Sequence, residues 1–376
     1  MMEKLLIKYT VFLISMIIFC GSFTSAYGNW YNFRGNNSLI GISSSSIPDN
    51  PELIWTYKTS GTRSSSAVIA DNKVFVGSDD GMIFALDLKK GDRLWEFKGQ
   101  GAFLSSPLYF NKKIYASSSH GILFCLDSDT GGLIFQFKTD AKIAGAPNSF
   151  VLNKKNYIVF GCYDNKIYCL DSDTGALAWH YQTEHYINGT PSYYNKKILF
   201  GGCDMYLRIL SALDGKLLYK IKSESYIAGS VALYKSKGYF GDFGGSITCF
   251  NEDSGKIIWK YTNQYEATPF LSSPSVTEKE IIIGSRDYNL YCFSADKGQL
   301  LWKTEVNGEI DGSPVIAGEN VVFTSGDGRI YIANKKDGKI KWEYEIGGGL
   351  TITPAVSQNI IIAGSDDGSV YAFGKK

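Results

Sequence analysis

Much that would announce a chemistry is missing from these 376 residues. Only three histidines occur, His120, His180 and His185. His120 falls in a hairpin turn, and the other two lie five apart in different elements with no third ligand beside them, which argues against a zinc-type site. No Cys-Cys dipeptide, no C-x-x-C-H haem signature, no G-x-S-x-G elbow and no phosphate loop appears. Charge of one sign is also lacking. The formal net charge is +1 and no basic stripe is present, so no global field draws nucleic acid. No segment beyond residue 28 keeps a helical period. The longest apolar run, "VFLISMIIF" (Val11 to Phe19), is short for a membrane span.

That run has a different reading. Lys4 and Lys8 precede it and the small residues of "GSFTSAYG" follow, the layout of a secretory signal peptide. Ala26 and Gly28 place cleavage before Asn29, so residues 1–28 are expected to be removed and the protein exported, periplasmic or secreted. An uncleaved anchor is the alternative. Lipidation of Cys20 is another, with bulky Phe19 against it, and membrane association is expected only in that case. Cleavage removes two lysines and one glutamate and leaves as many basic as acidic residues.

What is present is a repeat. The stretches "LDSDTGGLIFQFKT" and "LDSDTGALAWHYQT" are near-twins forty-four residues apart. Aligned on the aromatic after the glycine, eight segments share one position: Trp55, Trp95, Phe135, Trp179, Tyr219, Trp259, Trp302 and Trp342, with gaps of 40, 40, 44, 40, 40, 43 and 40 residues. A fixed period of this size means a solenoid, propeller or array. One period reads as four short β-rich runs, "SSAVIA", "KVFVGS", "MIFALD" and "RLWEFK". Turn residues separate them, such as Asp80-Gly81, and a glycine recurs before the fourth run, from Gly91 to Gly338.

Four-stranded units at this spacing are blades of an all-β propeller. The chain opens on a lone fourth strand, "LIWTYK", and ends on a lone triplet. Residues 53–58 are therefore expected to pair with Ser369–Phe373, completing an eighth blade and closing the ring within residues 53–376. Residues 29–52 form an N-terminal extension. "DSDTG" is then a turn rather than a calcium loop, since its acidic residues keep no fixed places in the other turns. Cys125, Cys169, Cys249 and Cys292 share the third-strand slot of Ala85, which suits core filling. Cys162 and Cys203 are the one pair placed for a disulfide.

The unit A-x-D-x-x-x-G-x-x-x-W, here Ala85, Asp87, Gly91 and Trp95, resembles the tryptophan-docking repeat of the pyrroloquinoline quinone (PQQ) propeller superfamily. "NWYNFRGNNSLIG", with Trp30, Arg34 and Gly35, resembles the start of many such proteins. The resemblance implies that each large aromatic docks between adjacent blades. It also implies one of two callings. The superfamily includes PQQ-dependent dehydrogenases, which use the quinone and calcium. It also includes non-catalytic propellers, among them the propeller lipoprotein of the outer-membrane β-barrel assembly machine. The vicinal cysteines of the dehydrogenases are absent and their calcium triad matches no stretch, so neither catalytic residues nor a cofactor or metal site are expected.

Binding is expected at the loops between blades. Aligned on the prolines, the loops carry an apolar ring: Phe103, Ile143, Ile187, Ile227, Phe270, Ile310 and Leu350, with Arg63 in the first. The ring either packs beneath the loops or forms a channel mouth with one cation. One residue earlier, Tyr186 and Tyr226 replace Lys142 and Glu309. With His185, Tyr265, Glu266 and Arg63 they are the partner-binding candidates. The expectation is a monomeric ring acting as a protein-interaction scaffold for other envelope proteins. A PQQ enzyme or a glycan- or small-ligand-binding propeller are the alternatives.

Overall fold

The computed structural model describes residues 29–263 and 268–375. The expected signal peptide and Cys20 lie outside them. Eight sheets follow one another around an axis, seven antiparallel of four strands and one of five. Blade 1 is representative, with strands Val68–Ala70, Lys73–Gly77, Met82–Asp87 and Arg93–Lys98. The inner strands are only two to five residues long, because they crowd the axis, whereas third and fourth strands run to six or seven.

The ring closes as the repeat requires. Glu52–Lys58 pairs antiparallel with Ser369–Gly374, setting Trp55 opposite Ala372 and Tyr57 opposite Val370. The eighth blade is thus built from both ends of the chain, and the ring has no open seam for another strand to extend.

Turn chemistry sets the hairpins. Between first and second strands, consecutive residues such as Asp71 and Asn72, or Asn111 and Lys112, both take positive φ, which matches the twist of a tight hairpin. Between third and fourth strands the recurring glycine has two reasons to be glycine. Gly91 has φ +74°, and a Cβ there would lie 2.6 Å from the Trp55 ring of the preceding blade. Trp55 donates its Nε1–H to Leu88 O of the same turn at 2.9 Å, and Trp95, Trp179, Trp259 and Trp302 repeat the bond on the next blades. The tryptophan therefore both buries its ring and satisfies a turn carbonyl. Phe135 lacks the N–H, and the Tyr115 hydroxyl serves Ser172 O instead at 2.7 Å. Tyr219 is 38% exposed and docks less fully than the indoles. Trp342 faces the seam, where no covalent third-to-fourth turn exists, and meets Phe373 edge-on at 5.6 Å.

The "DSDTG" segment Asp171–Gly175 is a turn. Asp171 Oδ1 accepts the amides of Asp173 and Thr174 and the Thr174 hydroxyl, each at 3.0 Å. Asp173 pairs with Lys113 of the neighbouring blade at 2.8 Å. All six described cysteines are free. Cys169, Cys249 and Cys292 lie opposite Trp179, Trp259 and Trp302 in register, buried between sheets. Burial pushes the Cys125 thiol up to about 11 and the Cys249 thiol to about 12, so neither ionises readily. Cys162 and Cys203 do not form the disulfide their sequence positions allowed. The Cys162 thiol reaches Ala141 O at 3.3 Å, and Cys203 Sγ accepts from Asn188 Nδ2 at 3.1 Å.

The N-terminal extension has a role of its own. It circles the axis as a strap, meeting the inner strands in turn. Trp30 exchanges two backbone bonds of 2.8 Å with Ile69 of blade 1, and Tyr31 O accepts from Tyr109 of blade 2. The Asn32 side chain bonds Asn148 of blade 3 at 3.0 Å. Asn37, Ser38, Ile40 and Gly41 carbonyls take the inner amides of blades 4 to 7, and Ser45 Oγ takes that of Gln358 in blade 8. Ile42–Ser43 adds a parallel fifth strand to blade 7. The strap so satisfies inner-edge amides that would otherwise face the axis unpaired.

Candidate functional site

Antiparallel strands send their connections alternately to opposite ends of a blade. One end, the turn face, carries the first-to-second and third-to-fourth turns, joined for example by Leu88 N to Asn72 O at 3.0 Å. The other, the loop face, carries the second-to-third hairpins and the loops between blades, joined by Asp79 N to Arg63 O at 3.0 Å. The strap crosses near the turn face, so the axial channel opens on the loop face. Phe33 of the strap lines the channel, whose volume is about 290 Å³.

The apolar ring does not form the mouth. Phe103, Ile187, Ile227, Ile310 and Leu350 are fully buried, and Ile143 and Phe270 nearly so. Glycines at the ends of second strands make room for them: a Cβ at Gly161 would stand 2.3 Å from Ile187 Cγ2. The next residue along each loop points the other way, as extended backbone requires. It is these residues, among them Leu104, Asn188, Leu271 and Asp311, that line the channel. Arg63 does stand there. Its Nε lies 3.2 Å from Asp366 Oδ1, with about half of its side chain exposed. Asp311 is held by both Arg286 Nε, at 2.9 Å, and Nη2, at 2.7 Å.

On blades 3 to 6 the loop face is aromatic. Tyr186 stacks on Tyr163 with centroids 4.7 Å apart and planes 4° from parallel, and Lys142 Nζ sits 4.1 Å from the Tyr163 centroid. His185 packs edge-on against Tyr186 at 4.3 Å. Tyr226 O accepts the Phe243 amide at 2.8 Å, which ties the loop into blade 5 to that blade's hairpin. Tyr186, Met205, Tyr226, Phe243 and Tyr288 are each between 37% and 50% exposed. Tyr265 and Glu266 lie outside the described residues. Four members of this sector, Tyr163, Met205, Phe243 and Tyr288, went unnoticed in the sequence. Aligning the second-to-third hairpins would have found them. Where other blades have Gly81, Gly121 or Gly328, blades 4 and 6 have Met205 (φ +63°) and Tyr288 (φ +68°). A bulky residue in the left-handed region is uncommon and unfavourable.

On blades 7, 8 and 1 the same hairpins carry Asp327, Asp366, Asp367, Asp79 and Asp80. Asp367 and Asp327 cap their own turns, where Asp367 Oδ1 accepts Ser369 N at 2.7 Å and Asp327 Oδ1 accepts Arg329 N at 3.1 Å, whereas Asp79 Oδ1 reaches the preceding loop and accepts Thr62 N at 2.8 Å. Among the described residues no three His, Cys, Asp or Glu side chains are grouped to hold a metal ion, and both channel carboxylates are engaged by arginines.

Comparison with known proteins follows the architecture. The family model described as "Beta-alanine-activating enzyme, beta-propeller" matches residues 114–376, and that of outer membrane protein assembly factor BamB matches residues 47–107. No curated protein sequence matches the chain. Among solved structures, BamB from Moraxella catarrhalis is similar at 18% identity and TM-score 0.73, over 87% of this chain and 98% of that one. The computationally designed Ika8 protein is similar at 17% and 0.76, over 86% and 100%. Quinohemoprotein alcohol dehydrogenase from Comamonas testosteroni is similar at 14% and 0.77, over 94% and 82%. An assembly factor, a design and an oxidoreductase share little but the ring, so these likenesses speak to fold alone. With eight docking aromatics on a common period and most of its length inside one propeller family model, the chain belongs to the PQQ-like β-propeller family.

Proposed function

We propose that this protein is a non-catalytic interaction scaffold of the bacterial cell envelope, exported by way of residues 1–28, and that it docks a partner protein on the loop face of blades 3 to 6. One observation carries the reading: Tyr186, Met205, Tyr226, Phe243 and Tyr288 all stand partly exposed on the loop face of blades 4 to 6. Tyrosine, phenylalanine and methionine are residues enriched where proteins meet. Outer-membrane protein assembly is the concrete version, suggested by the BamB match over residues 47–107. Crosslinked pull-down from envelope extract tests it. Capture of a defined partner should fall at least ten-fold for Tyr186→Ala with Tyr226→Ala, with the melting temperature unchanged. Undiminished capture by the double variant rules out this sector. Dye reduction that appears on adding PQQ and calcium would instead make the protein an oxidoreductase.

A further inference from the structure

The channel wall is built around a circle of hydroxyl groups. Just before the proline, or its counterpart, at the start of each inner strand, most blades place Ser or Thr. Thr190 Oγ1 accepts Ala146 N at 3.1 Å, Ser230 Oγ accepts Thr190 N at 2.8 Å, and Ser273 Oγ accepts Ser230 N at 2.9 Å. Ser313 Oγ, Thr353 Oγ1 and Ser66 Oγ continue the circle at 2.8, 3.0 and 3.1 Å. None is more than 9% exposed, and all six line the channel. In each the oxygen is used as an acceptor, and the hydroxyl proton has no protein acceptor among the described residues. A hydroxyl is one donor as well as an acceptor, so the circle presents donors. Ser106, the blade 2 member, is 3% exposed, and its Oγ has no partner of either kind.

A second feature lies in the strap. Arg34 of the strap, next to Phe33 in the channel wall, is fully buried. Its Nη1 donates to Pro314 O at 2.7 Å and its Nη2 to Ser275 Oγ at 2.8 Å, while Nε has no partner. No carboxylate pairs with it among the described residues, and burial pulls its pKa down to about 9. Buried charge without a counter-ion is costly, and buried charges are normally paired. At the mouth, Asp311 and Asp366 are matched by Arg286 and Arg63, so they leave the channel little net negative charge.

We infer that the axial channel is a binding site for a small oxyanion, a carboxylate or a phosphate, received by the hydroxyl circle. Acceptor-only groups complement a ring of donors, and the bond to an ionised acceptor is stronger than to a neutral one. A volume of about 290 Å³ admits a small molecule and not a folded partner. The inference is independent of the aromatic sector.

Calorimetric titration of the purified protein with inorganic phosphate and with acetate, at ionic strength held constant with sodium chloride, tests it. One saturable site per chain is expected for at least one of the two, with a melting temperature that rises with its concentration. Ser106→Ala removes a hydroxyl no other group uses, and should weaken binding about five-fold without destabilising the fold. Ser106→Glu, which puts a negative charge in the ring, should abolish binding. No saturable heat with either anion, the same thermal shift with sodium chloride alone, or unchanged affinity in Ser106→Ala would overturn the inference.

Discussion

The two faces of the ring obey different rules. On the turn face, seven blades repeat one design: a positive-φ glycine with an aromatic from the preceding blade against it and, on five of them, an indole N–H on the turn carbonyl. On the loop face, equivalent positions diverge, with Asp80-Gly81 in blade 1, Asp204-Met205 in blade 4 and Asp287-Tyr288 in blade 6. The contrast teaches which positions the fold demands. A blade cannot sit on its neighbour without the turn-face contacts, so they recur. The loop face only has to close a hairpin, which leaves its side chains free to differ and to serve recognition.

The sharpest way to break this division is to exchange the effects. Trp55→Ala should lose about 3–5 kcal/mol of stability by denaturant titration, since it empties a packed interface at the closing blade. Whatever fraction stays folded should capture partner normally. A loss below about 1 kcal/mol would mean that closure does not depend on docking. Next in size, Gly161→Ala forces a Cβ onto Ile187 beneath the loops and should cost about 1–3 kcal/mol. Met205→Gly should act in the opposite sense. Releasing the left-handed strain at φ +63° should raise stability by roughly 0.5 kcal/mol while reducing capture. A fall in stability would show that the Met205 side chain supports the fold after all.

Two weaker effects refine the picture. The Thr130 amide and hydroxyl hold the Asp127 carboxyl below its ordinary value. Because the folded pKa is the lower one, the stabilisation is complete above about pH 4 and fades as pH falls through the folded value. Asp127→Asn should therefore lower the melting temperature slightly at pH 7 and leave a smaller difference from the native protein at pH 2. A difference that grows on acidification contradicts this assignment. Thiol labelling is the mildest probe. Cys203, on the loop face and only partly buried, should react before the five buried cysteines, which should wait for unfolding. Simultaneous labelling of all six would mean that the blades open together.

The ring was legible because a repeat states its own period. Eight aromatics, the glycine before each fourth strand and the two incomplete ends were enough to predict closure through residues 53–58, one residue short of the observed strand at its start. The channel mouth was not legible. Phe103 and Leu104 are adjacent, and only the direction of extended backbone puts the first under the loop and the second in the channel. The aromatic sector was half visible: Tyr186 and Tyr226 emerged from aligned loops, while Phe243 and Tyr288 arrive from the second-to-third hairpins of blades 5 and 6.

What the sequence determined alone is whatever depends on local pattern repeated at fixed spacing: β-strands of period two, turns that need glycine, and a count of blades. What the tertiary structure decided depends on groups distant in the chain. The strap from Trp30 to Ser45 meets all eight inner strands, over as many as 313 residues of separation, and the hydroxyls that circle the axis become neighbours only when the ring shuts. No local propensity encodes such contacts, because their partners are fixed by closure and not by adjacent residues.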